Sequence, residues 1–301
     1  MALLFDNFKE WKVYSEKRGE PLYQAVLEFE INQKGRTEDE IFAGIQNAFD
    51  VMKEAVESGL NEDMTSYSGM INNGAKKVMA YNKSVLSADF QKLIARALAA
   101  KEVNSCMGRV VAAPTAGASG ILPGVLVTLQ EIHKISDKKI SEALLVGAGV
   151  ALILEKRASI AGAVGGCQAE TGTAAAMASA GITYCLDGTN DQIFNAIAIT
   201  IQCMLGLVCD PVAGLVEIPC VVRNASAAAI ANSSAQIALA DVSAVIPVDE
   251  CVDAMGEVGQ SMEDRYKETA MGGLAATKTG KAIAKKVLID DIDVVDDHID
   301  D

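Results

Sequence analysis

Residues 110–224 alternate Gly-punctuated turns with apolar stretches of small side chains, as in 173–180 and 192–208. No other feature constrains the fold as much. A sheet of this size needs β-branched and aromatic residues on a two-residue period. No sustained alternation of that period occurs, and aromatic residues make up 5% of a chain that is 50% hydrophobic. Alanine-rich apolar stretches of this kind favour closely packed helices. The predicted fold class is therefore all-α, a compact helical domain with Gly/Pro-rich turns.

The first hundred residues read as longer amphipathic helices. Thr37 with Glu40 fits a capping box, and Ile41, Ile45, Phe49, Met52 and Val56 follow at helical spacing. Ser87 fits the cap of a second helix whose apolar face includes Phe90, Leu93, Ile94 and Leu98. Residues 225–240 continue the small-residue style, and no fixed-period repeat is present. One domain over residues 1–286 is expected, followed by an acidic tail over 287–301 with a solvated, structureless backbone.

Charge narrows the function classes. The formal net charge is −14, and seven of the acidic residues are aspartates within 290–301, so half of that charge sits in the tail. No basic stripe is present to follow a phosphate backbone, which argues against nucleic-acid binding. The longest uncharged apolar run, residues 143–154 between Glu142 and Glu155, has twelve residues. About twenty are needed to span a bilayer, so a buried helix is expected and no membrane partner. Asp6 interrupts the N-terminus before an apolar core of signal-peptide length, and the cysteine count of seven is odd. Both favour reduced thiols and a cytoplasmic location.

Four of the six prolines (Pro114, Pro123, Pro211 and Pro219) lie in three Gly-containing segments. These are PTAGASGILPG at 114–124, GGCQAETG at 165–172 and CDPVAGLVEIPCVVRNA at 209–225. Turns inside otherwise buried helical sequence free backbone amides to bind ligands. The cysteines divide accordingly. Cys106, Cys185, Cys203 and Cys251 lie in helical or apolar patterns, where a free thiol acts as a small hydrophobe. Cys167, Cys209 and Cys220 each adjoin Gly or an Asp-Pro or Pro step. Their separations of 42 and 11 residues match no zinc-ribbon spacing. Two readings stay open on spacing alone: structural cysteines near turns, or three thiolates holding an iron–sulfur cluster with one iron left open.

Four ordered motifs, PTAGASGILPGVL, GGCQAETGTAAAMASAG, CDPVAGLVEIPCVVRNA and ETAMGGLAATKTG, resemble the alpha chain of iron–sulfur-dependent bacterial L-serine dehydratase over roughly residues 60–280. The resemblance implies a helical catalytic domain carrying a 4Fe–4S cluster on Cys167, Cys209 and Cys220. It also implies deamination of L-serine to pyruvate and ammonia without pyridoxal phosphate. In the mechanism that the resemblance implies, an open iron would bind the substrate hydroxyl and carboxylate, a base would remove the α-proton, and hydroxide would leave.

Within this reading residues 114–120 make a carboxylate cradle. Gly117 and Gly120 permit close approach, Thr115 and Ser119 offer hydroxyls, and a helix is expected to start near Ile121. Glu170 either orients the substrate amine or lies in the first turn of a helix. Arg223 and Asn224 either bind the carboxylate or support the cluster loop, and a buried Arg paired with a carboxylate is the plainer alternative.

The chain departs from single-chain members of the family. A Ser-Ser-His-Thr segment is absent, no cysteine follows Cys251, and Lys278 stands where Pro is expected. His133 and His298 match no catalytic motif, and His298 is expected to be solvated in the tail. These departures imply the alpha half of a two-subunit enzyme whose beta subunit completes the site. Rival readings are an iron–sulfur L-cysteine desulfidase and a non-catalytic iron–sulfur binding or redox-sensing subunit. Threonine is a possible second substrate, since one methyl group changes binding little. A dinucleotide fingerprint fails, because Leu152 occupies the third glycine position after Gly147 and Gly149.

Overall fold

The computed structural model describes residues 4–296. Among these residues thirteen α-helices and no β-strand occur, with isolated bridges joining Thr65 to Asn72 and Cys209 to Lys267. The predicted all-α class is what the chain adopts.

The N-terminal helices are α1 (Phe8–Arg18), α2 (Leu22–Lys34), α3 (Glu38–Asn61), α4 (Gly74–Ala80) and α5 (Ala88–Ser105). Thr37 and Glu40 form the expected reciprocal capping box on α3, which buries Ile41, Phe49, Met52 and Val56. Ser87 accepts the Phe90 N–H and starts α5. The remaining helices are α6 (Ile121–His133), α7 (Asp137–Ala158), α8 (Gly162–Gly165), α9 (Thr173–Cys185), α10 (Asn190–Met204), α11 (Cys220–Leu239), α12 (Val248–Ser261) and α13 (Lys278–Asp296).

Helix α9 is the hub. Every residue of its sequence TAAAMASAGITYC is buried, and α6, α7, α10 and α11 pack around it. Its many alanine, glycine and serine side chains let four helices pack closely against it. Two of its hydroxyls are satisfied within the helix: that of Ser179 donates to Ala176 O at 3.0 Å and that of Thr183 to Ser179 O at 2.8 Å.

Glycine serves the same end around α5. An added Cβ at Gly59 of α3 would lie 2.3 Å from Ala99 O, and one at Gly124 of α6 would lie 2.6 Å from Ala97 Cβ. Two neighbouring helices therefore approach α5 at backbone distance, and its position is tightly fixed.

The apolar run 143–154 lies within α7 as a largely buried helix. Among the described residues no helix is long and apolar enough to cross a membrane.

Three details differ from the sequence reading. Helix α10 ends at Met204, four residues early, because Gly206 turns the chain at φ 77° and its N–H is held by Gln168 Oε1 at 2.9 Å. Cys203 is exposed and Cys106 half-buried, since each faces partly away from the packed side of its segment; only Cys185 and Cys251 of that group are buried. Helix α13 continues through Asp296, so the backbone is helical ten residues into the acidic segment. His298 lies outside the described residues, and His133 is an exposed residue at the end of α6.

Candidate active site

The three segments singled out by their Gly and Pro residues meet at one end of α9. The first thiol lies between two irregular turns. Gly166, at φ 74°, ends α8, and Cys167 then leads into a π-helical turn, Gln168–Gly172, that runs directly into α9. Wide turns of this kind recur at functional sites. Gln168 fixes the turn, since its N–H donates to Leu207 O and its Nε2 to Met255 O, both at 2.9 Å.

The second thiol, on Cys209, follows the turn after α10. Its N–H donates to Tyr266 O and its carbonyl accepts from Glu268 N, each at 2.8 Å. The adjoining Asp210 is buried, accepts from Leu274 N at 2.7 Å and lies 2.8 Å from Arg223 Nη1. The third thiol, on Cys220, is half-buried on the first residue of α11, after the cis Ile218–Pro219 peptide.

The thiols are electrostatically linked. A hydrogen bond from Cys209 lowers the Cys167 thiol against the opposing effect of burial, and contact with Thr171 Oγ1 at 2.8 Å lowers it further. The same bond, together with burial, raises Cys209. Burial pushes Cys220 up to about 12, and the nearby Cys167 adds to the shift. Among the described residues no three His, Cys, Asp or Glu side chains are arranged to hold a single metal ion. The donor set is thiol-rich and soft, which suits an iron–sulfur group better than a hard cation.

The segment 114–120 lies beside these thiols as a short 3-10 turn, Ala116–Ala118, before α6 starts at Ile121 as expected. Asn224 of α11 fastens it. Its Oδ1 accepts from Gly120 N at 2.9 Å, while Nδ2 donates to Gly117 O at 2.8 Å and Cys220 O at 2.9 Å. The Gly120 amide is therefore already spent on Asn224.

Glu170 spans the gap to the thiols. A Cβ at Gly117 would lie 3.2 Å from both of its carboxyl oxygens. One at Gly162 would lie 2.8 Å from Glu170 Oε2 and 3.3 Å from Cys209 Sγ. Burial raises the Glu170 carboxyl, and the adjacent Thr115 hydroxyl opposes this without reaching good hydrogen-bond geometry. Ser119 Oγ and Thr173 Oγ1 are buried hydroxyls without a hydrogen-bond partner among the described residues.

All nine singled-out residues, Thr115, Gly117, Ser119, Cys167, Glu170, Cys209, Cys220, Arg223 and Asn224, thus belong to these converging segments. Arg223 takes the plainer of its alternatives: its charge is matched by Asp210, and its Nη1 also donates to Val208 O at 2.8 Å. Sequence reasoning missed Lys101. This residue is fully buried on α5 and donates to Ala116 O at 3.2 Å and to Asn104 Oδ1. The available signal was a lysine three residues after Leu98, on the apolar face of the helix.

Comparison of the sequence with known proteins places this chain. The family model described as serine dehydratase alpha chain matches residues 17–275, reaching further toward the N-terminus than the four motifs. The L-serine dehydratase alpha chain of Peptoniphilus asaccharolyticus is 45% identical over 276 residues, covering 90% of this chain and 94% of that one. A probable L-serine dehydratase alpha chain of Bacillus subtilis is 40% identical over 287 residues, covering 94% and 95% respectively. An L-serine dehydratase of Escherichia coli is 37% identical over 251 residues, which are 80% of this chain but 55% of that longer protein. The class these matches define is a lyase. The chain belongs to the serine dehydratase alpha-chain family.

Proposed function

We propose that this chain is the alpha subunit of an L-serine dehydratase, a lyase that converts L-serine to pyruvate and ammonia. The observation that carries the reading is the convergence of Cys167, Cys209 and Cys220 with the 114–120 turn and Glu170. Loss of the α-proton and of the β-hydroxide gives aminoacrylate and water. Tautomerisation to the imine and hydrolysis then release ammonia and pyruvate.

The three thiols suit a 4Fe–4S cluster by donor chemistry, and Cys167, Cys209 and Cys220 would hold it. Such a cluster, when bound, supplies a Lewis-acidic iron that polarises the substrate hydroxyl. The chain's own groups supply the rest. Thr115 and Ser119 offer hydroxyls to the substrate carboxylate, and Asn224 holds their turn in register with Cys220. Glu170, with its carboxyl raised by burial, faces the substrate ammonium. Arg223 fixes the Cys209 segment through Asp210. A beta subunit completes the site and contributes the histidine that these segments lack. The same reading places the enzyme in the cytoplasm, where thiols stay reduced.

Anaerobic purification with and without a co-expressed beta chain tests this, by measuring iron, acid-labile sulfide and pyruvate formed from L-serine. Iron and sulfide bound together with pyruvate formation are expected from the pair. A complex that stays iron-free after anaerobic reconstitution overturns the cluster assignment. A loaded complex that makes no pyruvate from L-serine overturns the activity.

A further inference from the structure

Lys101 is a buried amine with no ion-pair partner among the described residues. Its side chain is fully buried, and its Nζ spends two of its three donors on Asn104 Oδ1 and Ala116 O. Among the described residues no carboxylate lies within ion-pair distance of it. The neighbouring Glu102 points elsewhere and accepts from Gly74 N at 2.7 Å and Ala75 N at 3.2 Å. The titratable groups electrostatically linked to Lys101 are, in order, Cys220, Glu170 and Cys167, all in the candidate site. Burial lowers its amine to about 8, and the neighbouring site groups oppose that shift.

An uncompensated ammonium in a protein interior is costly, and helix packing gains nothing from it. Its position identifies what it meets. Ala116, its hydrogen-bond acceptor, belongs to the turn that carries Thr115 and Ser119. A Cβ at Gly120 would lie 2.9 Å from Lys101 Cβ and 3.1 Å from Asn224 Oδ1, so the lysine stem runs directly beneath that turn. The turn that Lys101 bonds at Ala116 thus also carries two buried hydroxyls without a hydrogen-bond partner among the described residues, those of Thr115 and Ser119, while the third N–H of the ammonium is unspent. That combination of a cation and two hydroxyls is suited to a carboxylate.

We propose that Lys101 is the counter-ion of the substrate carboxylate and the residue that makes the site select an α-amino acid over the corresponding amino alcohol. This rests on the L-serine reading above. The ammonium neutralises the carboxylate and so favours the charge that builds on it as the α-proton leaves.

The test uses the anaerobically purified complex with its beta subunit, as wild type and as the variants Lys101→Met, Lys101→Gln and Lys101→Arg. L-Serine and ethanolamine, which is serine without its carboxylate, are the probes. Thermal shift reads binding and pyruvate formation reads KM and kcat. Wild type is expected to be stabilised by L-serine and not by ethanolamine. Lys101→Met and Lys101→Gln should lose that stabilisation and raise KM about 10- to 100-fold, the worth of a charge-assisted hydrogen bond. Their own melting temperatures without ligand should equal or exceed that of wild type, because a buried charge has been removed. Lys101→Arg should recover part of the serine response.

A KM within threefold of wild type in both neutral variants, with serine stabilisation intact, overturns the proposal. So do lower melting temperatures in both with unchanged serine binding, which would make Lys101 a strut for Ala116. An altered cluster absorption spectrum with unchanged KM overturns it too, since the charge would then serve the thiolates. A wild-type complex indifferent to L-serine in both assays defeats the serine reading itself, and this inference with it. A normal wild-type response shared by the variants defeats only the role of Lys101.

Discussion

The side-chain amide of Asn224 closes a ring with the backbone at Gly120, accepting its N–H at 2.9 Å while donating to Gly117 O at 2.8 Å. The two ends of this clamp are 104 residues apart in sequence. Asn224 is fully buried, so truncation leaves the Gly120 N–H and the carbonyls of Gly117 and Cys220 without it in a dry interior. Each such loss costs about 1–3 kcal/mol. Asn224→Ala should lower stability by about 3 kcal/mol in a urea titration and reduce kcat. Asn224→Asp should not restore the activity, because a carboxylate cannot donate to Gly117 O.

The cysteines sort by position, and a substitution series should follow the sorting. Cys167→Ala, Cys209→Ala and Cys220→Ala are each expected to abolish pyruvate formation and to lower bound iron. Cys203, exposed on α10, should tolerate alanine with no change in either quantity. Cys185→Ala and Cys251→Ala, in the packed interior, should cost about 1 kcal/mol of stability while leaving iron content intact. Equal loss of iron across all six variants would remove the distinction.

Gly59→Ala tests the packing of α5. The added Cβ would lie 2.3 Å from Ala99 O, and a backbone carbonyl within a helix cannot swing aside. The helices must separate, at a cost of about 1–3 kcal/mol or more. Differential scanning calorimetry should show a lower melting temperature. Because α5 also carries Lys101, a reduced activity at temperatures well below the melting point is expected.

Glu131 gives the fold a dependence on pH that is independent of the site. Hydrogen bonds from Lys92, at 2.7 Å, and from Arg96 hold its carboxyl down to about 2. A carboxyl whose folded pKa is depressed contributes stability above its unfolded value and loses it as pH falls through its folded value. Glu131→Gln should therefore lower the melting temperature at pH 7, and the difference should shrink from about pH 4.5 downward and vanish near pH 2. The side chain is 41% exposed, so solvent screening keeps the effect below about 1 kcal/mol. Added salt should reduce it further.

Local patterns made much of this molecule legible. The Thr37–Glu40 box and the spacing from Ile41 to Val56 specify α3, and Gly or Pro beside Cys167, Cys209 and Cys220 separates those three from the others. What stayed hidden depends on pairing across the chain. Asp210 gives no sign in its own neighbourhood that it will accept the amide of Leu274, 64 residues away, and pair with Arg223. The apolar face of α5 was visible, but a lysine on it reads as a solvated edge until the turn at Ala116 is seen to cover it.

The bridge between Cys209 and the segment Tyr266–Glu268, with the Asp210–Leu274 bond beside it, also bears on the order of events during synthesis. Cys167 and Cys220 leave the ribosome with much of their surroundings already made. The strut that holds Cys209 is still untranslated at that stage. A group that needed all three thiols in their folded positions would therefore meet them only after residues 266–274 had been made, close to the end of synthesis.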